Sequence, residues 1–461
     1  MAFRVRPFTL DDELGVVMTQ NGDEEGEVEL VNNDKVKGNR ARFPFTWSWW
    51  SAHNWKHHVA EKDKQSCEDM VFTTQSMCYE QCGHKVKADV LGGNAVVLFA
   101  YGLSGSGKTY TVFGMDAADN PVSWFKHAEP HDMWGIFPQL GYELLGMKQD
   151  GWKFTMQYFQ NVVDIVRDLM SPAGEERQYK EGFKKDADGF MNIMWLASKV
   201  IKDWDDLRKT FVKANARKAI APTQFNPQST RGHCVMTMEC EMPKPDDPSV
   251  KQRGRIYVCD LAGTEPAGDV FYAQYEKVKQ PDGSVELLNP TPHPDQGKTK
   301  DLQNQGKKIN LSLSEMAQFF MKMAEGIKKK TLKPGKSIPG CNSYFLCKYL
   351  KDTMLQARTY LFCAIRPEAT YHKYTFATLG FGKNASVIKL SPKKAMGKAS
   401  PAERKLMQEL EVSWLVRCRS NPPVSSLARH IRGVCRLMCC APGNESACRR
   451  SQEKSRRRGG R

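Results

Sequence analysis

Residues Gly102-Leu103-Ser104-Gly105-Ser106-Gly107-Lys108-Thr109 fit the pattern GxxxxGK[ST] and follow the apolar run Ala95 to Ala100. A strand that runs into a glycine loop and then a helix is an arrangement that cradles phosphates. The loop's N–H groups and the positive end of the following helix face the anion, Lys108 reaches the β- and γ-phosphates, and Thr109 offers a hydroxyl to Mg²⁺. A second element, Asp260-Leu261-Ala262-Gly263, ends the apolar run Ile256 to Cys259. Asp260 is placed to hold the metal through water, and the Gly263 amide to reach a γ-phosphate. Between the two lies Asn226-Pro227-Gln228-Ser229-Thr230-Arg231-Gly232-His233, whose two hydroxyls and arginine suit a segment that closes over that phosphate.

Such loops need a rigid sheet beneath them. Residues 1–390 alternate β-branched or aromatic runs (VVLFAYG, WKFTMQYF, GRIYVCDLAG, TYLFCAI) with longer amphipathic stretches, which predicts an α/β sheet covered by helices. Two polar segments, near 116–134 and 266–307, read as surface loops or insertions. Of the net charge of +16, the segment 391–461 carries 17 Lys and Arg against 5 Glu, so the excess sits in the tail and no specific nucleic-acid partner is expected. The low periodicity of that tail predicts disorder, and no sustained heptads predict a coiled coil. No run of 18 apolar residues is present, and the N-terminus lacks an apolar signal region, so the chain is expected neither to span a membrane nor to be secreted. The 14 cysteines are scattered through strand-like and helix-like segments, as expected of reduced thiols. No paired CxxC accompanies Cys78 and Cys82, His53 and His57, or Cys435, Cys439, Cys440 and Cys448, which argues against a structural zinc.

The two phosphate motifs are shared by GTPase, myosin-like and kinesin-like readings, and no NKxD guanine motif is present. Several segments in order resemble the kinesin motor domain. Arg4-Val5-Arg6-Pro7 resembles its RxRP, FAYGLSGSGKTYTVFG its FAYGQTGSGKTYTM, and Asn226 to His233 its NxxSSRSH. DLAGTE (Asp260 to Glu265) resembles DLAGSE, INLSLSEM resembles INKSLSAL, and ATLGFG (Ala377 to Gly382) resembles STLRFA. The resemblance covers roughly residues 1–390. It implies a P-loop NTPase fold of the kinesin motor kind, with a central mixed, mostly parallel β-sheet flanked by helices on both faces. It also implies a microtubule-stimulated motor ATPase that uses ATP and Mg²⁺, with the cytoplasmic microtubule cytoskeleton as its place.

Residue by residue, the resemblance implies that Arg4 and Pro7 flank the adenine, that Tyr79 stacks on it, and that Tyr110, inside the matched loop, belongs to the nucleotide site. Asn226 falls in the first switch, and Ser229 and Thr230 should bring hydroxyls to Mg²⁺ and the attacking water. Arg231 should pair with Glu265, joining the two switches and helping to relay a proton. Lys328, Lys329, Lys330, Lys333 and Lys336 fall where the family has a basic microtubule-binding loop, suited to an acidic track. Plainer roles stay open: Tyr79 as helix packing, Arg4 as a surface charge, the lysines as a solvated loop. The chain departs from the family at Gly232, where a serine is usual, at Leu311, where a lysine is usual, and at Ile338 to Leu346, which lack the basic residues of VPYRDSKLT. With the catalytic groups kept and the track-facing ones changed, a weakly hydrolysing, ATP-binding microtubule scaffold is the second reading.

Overall fold

Every residue of the run Ala95 to Ala100 is apolar, and such a strand is stable only when both of its faces are covered. The computed structural model describes residues 1–388 apart from 11, 32–41, 60, 115–128, 187, 280–284, 332–337 and 387, and apart from the side chains of 62, 63 and 66. The tail 391–461, most of the 116–134 segment, Lys333 and Lys336 lie outside the described residues.

From the N-terminus, β1 (Ala2–Val5) is followed by a small antiparallel sheet of β2 (Val16–Gln20), β3 (Gly26–Leu30) and β4 (Arg42–Phe45), and then by β5 (Trp47–Trp50). Helices α1 (Glu61–Glu68) and α2 (Gln75–Leu91) precede β6 (Ala95–Gly102), α3 (Lys108–Phe113) and α4 (Ile136–Gly146). Next come β7 (Lys153–Val162), β8 (Ile165–Asp168), β9 (Glu176–Gln178), the hairpin β10 (Phe183–Lys185) with β11 (Met191–Ile193), β12 (Lys199–Ile201) and α5 (Trp204–Asn215). A long hairpin, β13 (His233–Lys244) and β14 (Asp247–Asp260), leads to a smaller one, β15 (Ala273–Lys279) and β16 (Val285–Pro292). The remaining elements are α6 (Gln296–Lys328), α7 (Phe345–Met354), β17 (Arg358–Ile365) and α8 (His372–Ser386).

The main sheet has ten strands in the order β5-β1-β17-β6-β14-β13-β7-β8-β9, with β12 on β7. The five strands from β5 to β14 pair in parallel, and from β13 onward the pairing is antiparallel. Side chains alternate across a strand, so β6 feeds two cores. Val96, Leu98 and Ala100 pack with α2, α3, α4 and α5, while Ala95, Val97 and Phe99 pack with α6, α7 and α8. The polar segment 266–307 is more ordered than its composition suggests: it holds the β15–β16 hairpin and the first turns of α6. Asp295 caps that helix by accepting from the Gly297 N–H at 2.9 Å. With 33 residues, α6 runs about 50 Å.

Phe99 is clamped between Phe320 of α6, at 6.1 Å between ring centroids, and Phe381 of α8, at 6.4 Å. Phe99→Ala is expected to cost about 3–5 kcal/mol in urea unfolding. A loss below about 1 kcal/mol would mean that these helices do not grip the strand.

Candidate nucleotide site and its switches

Register brings the two phosphate motifs together. Asp260 stands beside Ala100 on adjacent parallel strands, and Gly102 stands beside Ala364. Both loops therefore leave the sheet at the same edge, outside the carboxyl ends of the strands. Gly105 has φ +70°, and a Cβ there would meet the Phe225 carbonyl oxygen at 2.5 Å, so only glycine lets the first switch lie this close to the loop. Arg6 donates to the Gly105 carbonyl from the other side.

Lys108 is buried and donates to the carbonyls of Gly102, at 3.0 Å, and Leu103, at 2.9 Å. Burial pushes its ammonium pKa down, opposed by Glu265 and Asp260. A desolvated cation hydrogen-bonded to neutral carbonyls is a ready partner for a phosphate. Helix α3, which begins at Lys108, is six residues long. Thr109 Oγ1 donates to Asp260 Oδ2 at 2.7 Å, which sets two hard oxygens side by side where Mg²⁺ fits. Ser106 Oγ, inside the same loop, is buried with no hydrogen-bond partner among the described residues.

The two switches meet over this loop in an arrangement that differs from the expected Arg231–Glu265 pair. Glu265 accepts from the Ser104 N–H at 3.0 Å and from Ser104 Oγ at 2.6 Å. Arg231 donates instead to Ser229 Oγ, which lies 3.3 Å from Ser104 Oγ. Among the described residues no ion pair joins Arg231 to Glu265, although Glu265 is near enough to oppose the burial that lowers the Arg231 pKa. Thr230, Arg231, Gly263, Glu265 and Asn310 line a cavity of about 20 Å³, room for one water. Asn226 shapes its own turn, its Oδ1 accepting from the Gln228 N–H at 2.9 Å, rather than facing that cavity.

At the far end of the loop, Arg4 is buried, donates to Ser51 Oγ at 3.1 Å and to Gln75 Oε1, and lies 4.9 Å from the Tyr110 ring centroid. It is no surface charge: it braces Tyr110, whose carbonyl also accepts from Gln75 Nε2 at 2.6 Å. Half-buried Pro7 accepts from Arg6 Nε through its carbonyl at 3.2 Å. Tyr79 does not join this group. Its ring lies across Gly83 of its own helix, in the core beneath the sheet, so the available aromatic surface belongs to Tyr110.

Three groups outside the expected set tie the switches together. His233 accepts from the Ala262 N–H at 3.3 Å through Nδ1, and its Nε2 lies 2.7 Å from Ser312 Oγ. Asn310 donates to the Glu265 carbonyl at 2.8 Å. The first switch, the second switch and α6 thus share one buried polar contact set. His233 lay inside the NxxSSRSH match, but a histidine at a strand start carries no sequence signal for a partner 79 positions away.

A family model described as "Kinesin motor domain" matches residues 17–280, more than half of the chain. The chain belongs to the kinesin family. Kinesin-like protein KIN-14I of Oryza sativa subsp. japonica is 30% identical over 46% of this chain and 16% of its own length. Kinesin-like protein KIF1B of Rattus norvegicus is 25% identical over 84% of this chain and 19% of its own length. The chain therefore spans less than a fifth of the length of these two relatives. Among solved structures, a KIF14 dimer with AMP-PNP in complex with a microtubule matches with a TM-score of 0.63 at 21% identity, over 88% of this chain and 98% of that one. A fast kinesin matches with a TM-score of 0.60 at 18% identity, over 87% and 94%.

Against the kinesin pattern, the departures have different physical causes. A Cβ at position 232 would fall inside van der Waals reach of the Asn161 carbonyl oxygen, so Gly232 answers to packing against β7. Leu311 lies on the outer face of α6 with 51% of its surface exposed, where no packing demands an apolar residue. Lys328, Lys329 and Lys330 are exposed at the far end of the same helix. No described helix is long and apolar enough to cross a membrane.

Gly232→Ser, which restores the usual residue of the family, is expected to destabilise the fold by about 1–3 kcal/mol in chemical denaturation. An unchanged midpoint would refute the packing account. Burial, with Lys108 nearby, pushes the His233 imidazole down from 6.5 to about 3. The unfolded chain therefore binds a proton between those values that the folded chain refuses, and stability falls as pH drops below 6.5. Between pH 7 and pH 5 this group should remove about 2 kcal/mol. The extra acid sensitivity should vanish in His233→Asn, measured as the pH slope of the unfolding free energy.

Proposed function

We propose that this chain is a microtubule-stimulated ATP hydrolase whose two switches couple the state of the nucleotide to the grip of α6 on the track. The observation that carries this reading is the convergence of Lys108, the Thr109–Asp260 pair and the Ser104–Glu265–Ser229–Arg231 set on one loop. Thr109 and Asp260 are the residues that would hold Mg²⁺, which when bound would supply charge neutralisation on the phosphates.

In the described arrangement Glu265 occupies the Ser104 N–H, a donor that a phosphate would also use. Nucleotide entry then displaces Glu265, leaving it free to meet Arg231 across the one-water cavity. Ser229, freed from Arg231, and Thr230 position the attacking water, and the Arg231–Glu265 pair takes up its proton. Asn310 and His233 pass the shift to α6 because both contact the second switch directly. The exposed Lys328 to Lys330 meet the acidic track at the end of α6, with an attraction that weakens as salt rises. Helix α6 and β17 also line an open groove of about 590 Å³ with Phe320, Met323 and Leu361, joined there by Ile388. The proposed setting is the cytoplasmic cytoskeleton.

Leu311 favours a second reading, a nucleotide-binding microtubule scaffold with little turnover, because an exposed leucine stands where the family offers a lysine. Steady-state ATP hydrolysis by the full chain, with and without microtubules, separates the two. Turnover should rise with microtubules, fall to background in Lys108→Ala and drop by about 10²–10³ in Glu265→Ala. A flat, low rate together with microtubule binding indifferent to nucleotide would establish the scaffold.

A further inference from the structure

The segment between the second switch and α6 ends in a hairpin that the mechanism above does not use, yet its base is bonded to the turn that leads into the first switch. The Ala273 N–H donates to the Pro222 carbonyl at 3.1 Å, and Tyr275 OH donates to the Thr223 carbonyl. Gln224 is held on both sides: its Oε1 accepts from the Phe271 N–H at 3.0 Å, and its Nε2 donates to the Asp269 carbonyl. Ala221, Val270 and Leu302 form a small apolar cluster of their own, with Phe225 and Tyr272 against it.

The same segment is tied to two helices. Gln303 Nε2 donates to the Val270 carbonyl at 2.9 Å, and Thr299 Oγ1 accepts from the Tyr272 N–H at 3.2 Å, both on α6. Asp269 accepts from Lys373, at 2.9 Å, and from Tyr374, at 2.7 Å, on α8. The held turn 222–225 leads directly into the first switch and presses its Phe225 carbonyl against Gly105, and four residues later comes Ser229. Swinging the first switch away from the phosphate loop requires these contacts to break together.

We infer that residues 269–275 strap the first switch over the phosphate loop, with Tyr275 and Gln224 as positioning residues that slow nucleotide release. The inference rests on the nucleotide-site reading above. The Tyr275 hydroxyl acts on a backbone carbonyl, so Tyr275→Phe removes one hydrogen bond and leaves the ring in place.

Two measurements on the full chain test the strap. Hydrogen exchange of the amides at 219–231, without nucleotide, should quicken in Tyr275→Phe and in Gln224→Ala. Release of the fluorescent analogue mant-ADP, chased with excess ATP, should quicken about fivefold in Tyr275→Phe, the effect of one neutral hydrogen bond. The KM for microtubules should stay at the wild-type value. Lys277→Ala, on the exposed part of the hairpin, should change neither measurement. Wild-type exchange at 219–231 in both strap variants overturns the strap. Faster exchange with wild-type mant-ADP release overturns its control of the nucleotide. If the wild-type chain holds no mant-ADP, the nucleotide reading fails separately, and the exchange result alone decides the strap.

Discussion

The parallel pairing of β6 with β14, in the register that sets Ala100 beside Asp260, is the constraint on which the rest of the site depends. Parallel neighbours finish at the same edge of a sheet, so a loop after one strand and a loop after the other must share space. A shift of one residue would turn Asp260 to the opposite face and part it from Thr109. Both faces of these strands are packed by large side chains, which makes such a slip costly. The chemistry inherits its precision from that packing.

Above this edge, polar contacts do what the apolar core cannot. The apolar core resists graded motion, because close-packed side chains shift only by repacking. Hydrogen bonds that can be exchanged between partners provide two discrete arrangements at little cost in contacts. Glu265 on Ser104 and Arg231 on Ser229 form one such arrangement, and the residues around the water-sized cavity are those that would form the other. His233 and Asn310 join these groups to α6, whose far end bears the exposed Lys328, Lys329 and Lys330.

The departures from the family fall into two physical kinds. Gly232 is required by a neighbouring carbonyl, so it says little about lost activity. Leu311 faces outward on α6, where the core does not demand it, whereas the stretch from Ile338 to Leu346 is shared: Ile338, Cys341, Phe345 and Leu346 are buried in the core, and Pro339, Gly340, Asn342 and Ser343 are exposed. The segment from Asp269 to Tyr275 adds contacts on the turn 222–225 and on α8.

Alternating apolar runs made the α/β class legible, because a strand buried on both faces and a one-sided helix leave different periods. The glycines, Lys108, Thr109 and Asp260 were legible because phosphate binding needs those groups at short, fixed spacing along one loop or strand end. Of the two roles left open for Tyr79, the fold shows the packing one, because its ring fills the core against Gly83 of its own helix. The segment 266–307 read as loop because its hairpin packs on the switch turn and on α6 rather than burying an apolar face of its own. The sequence by itself determined the groups available for phosphate chemistry and the strands that carry them. The tertiary structure alone decided which partner each charged group holds, since Glu265, Ser104, Arg231 and His233 meet only where distant strands and helices share one edge.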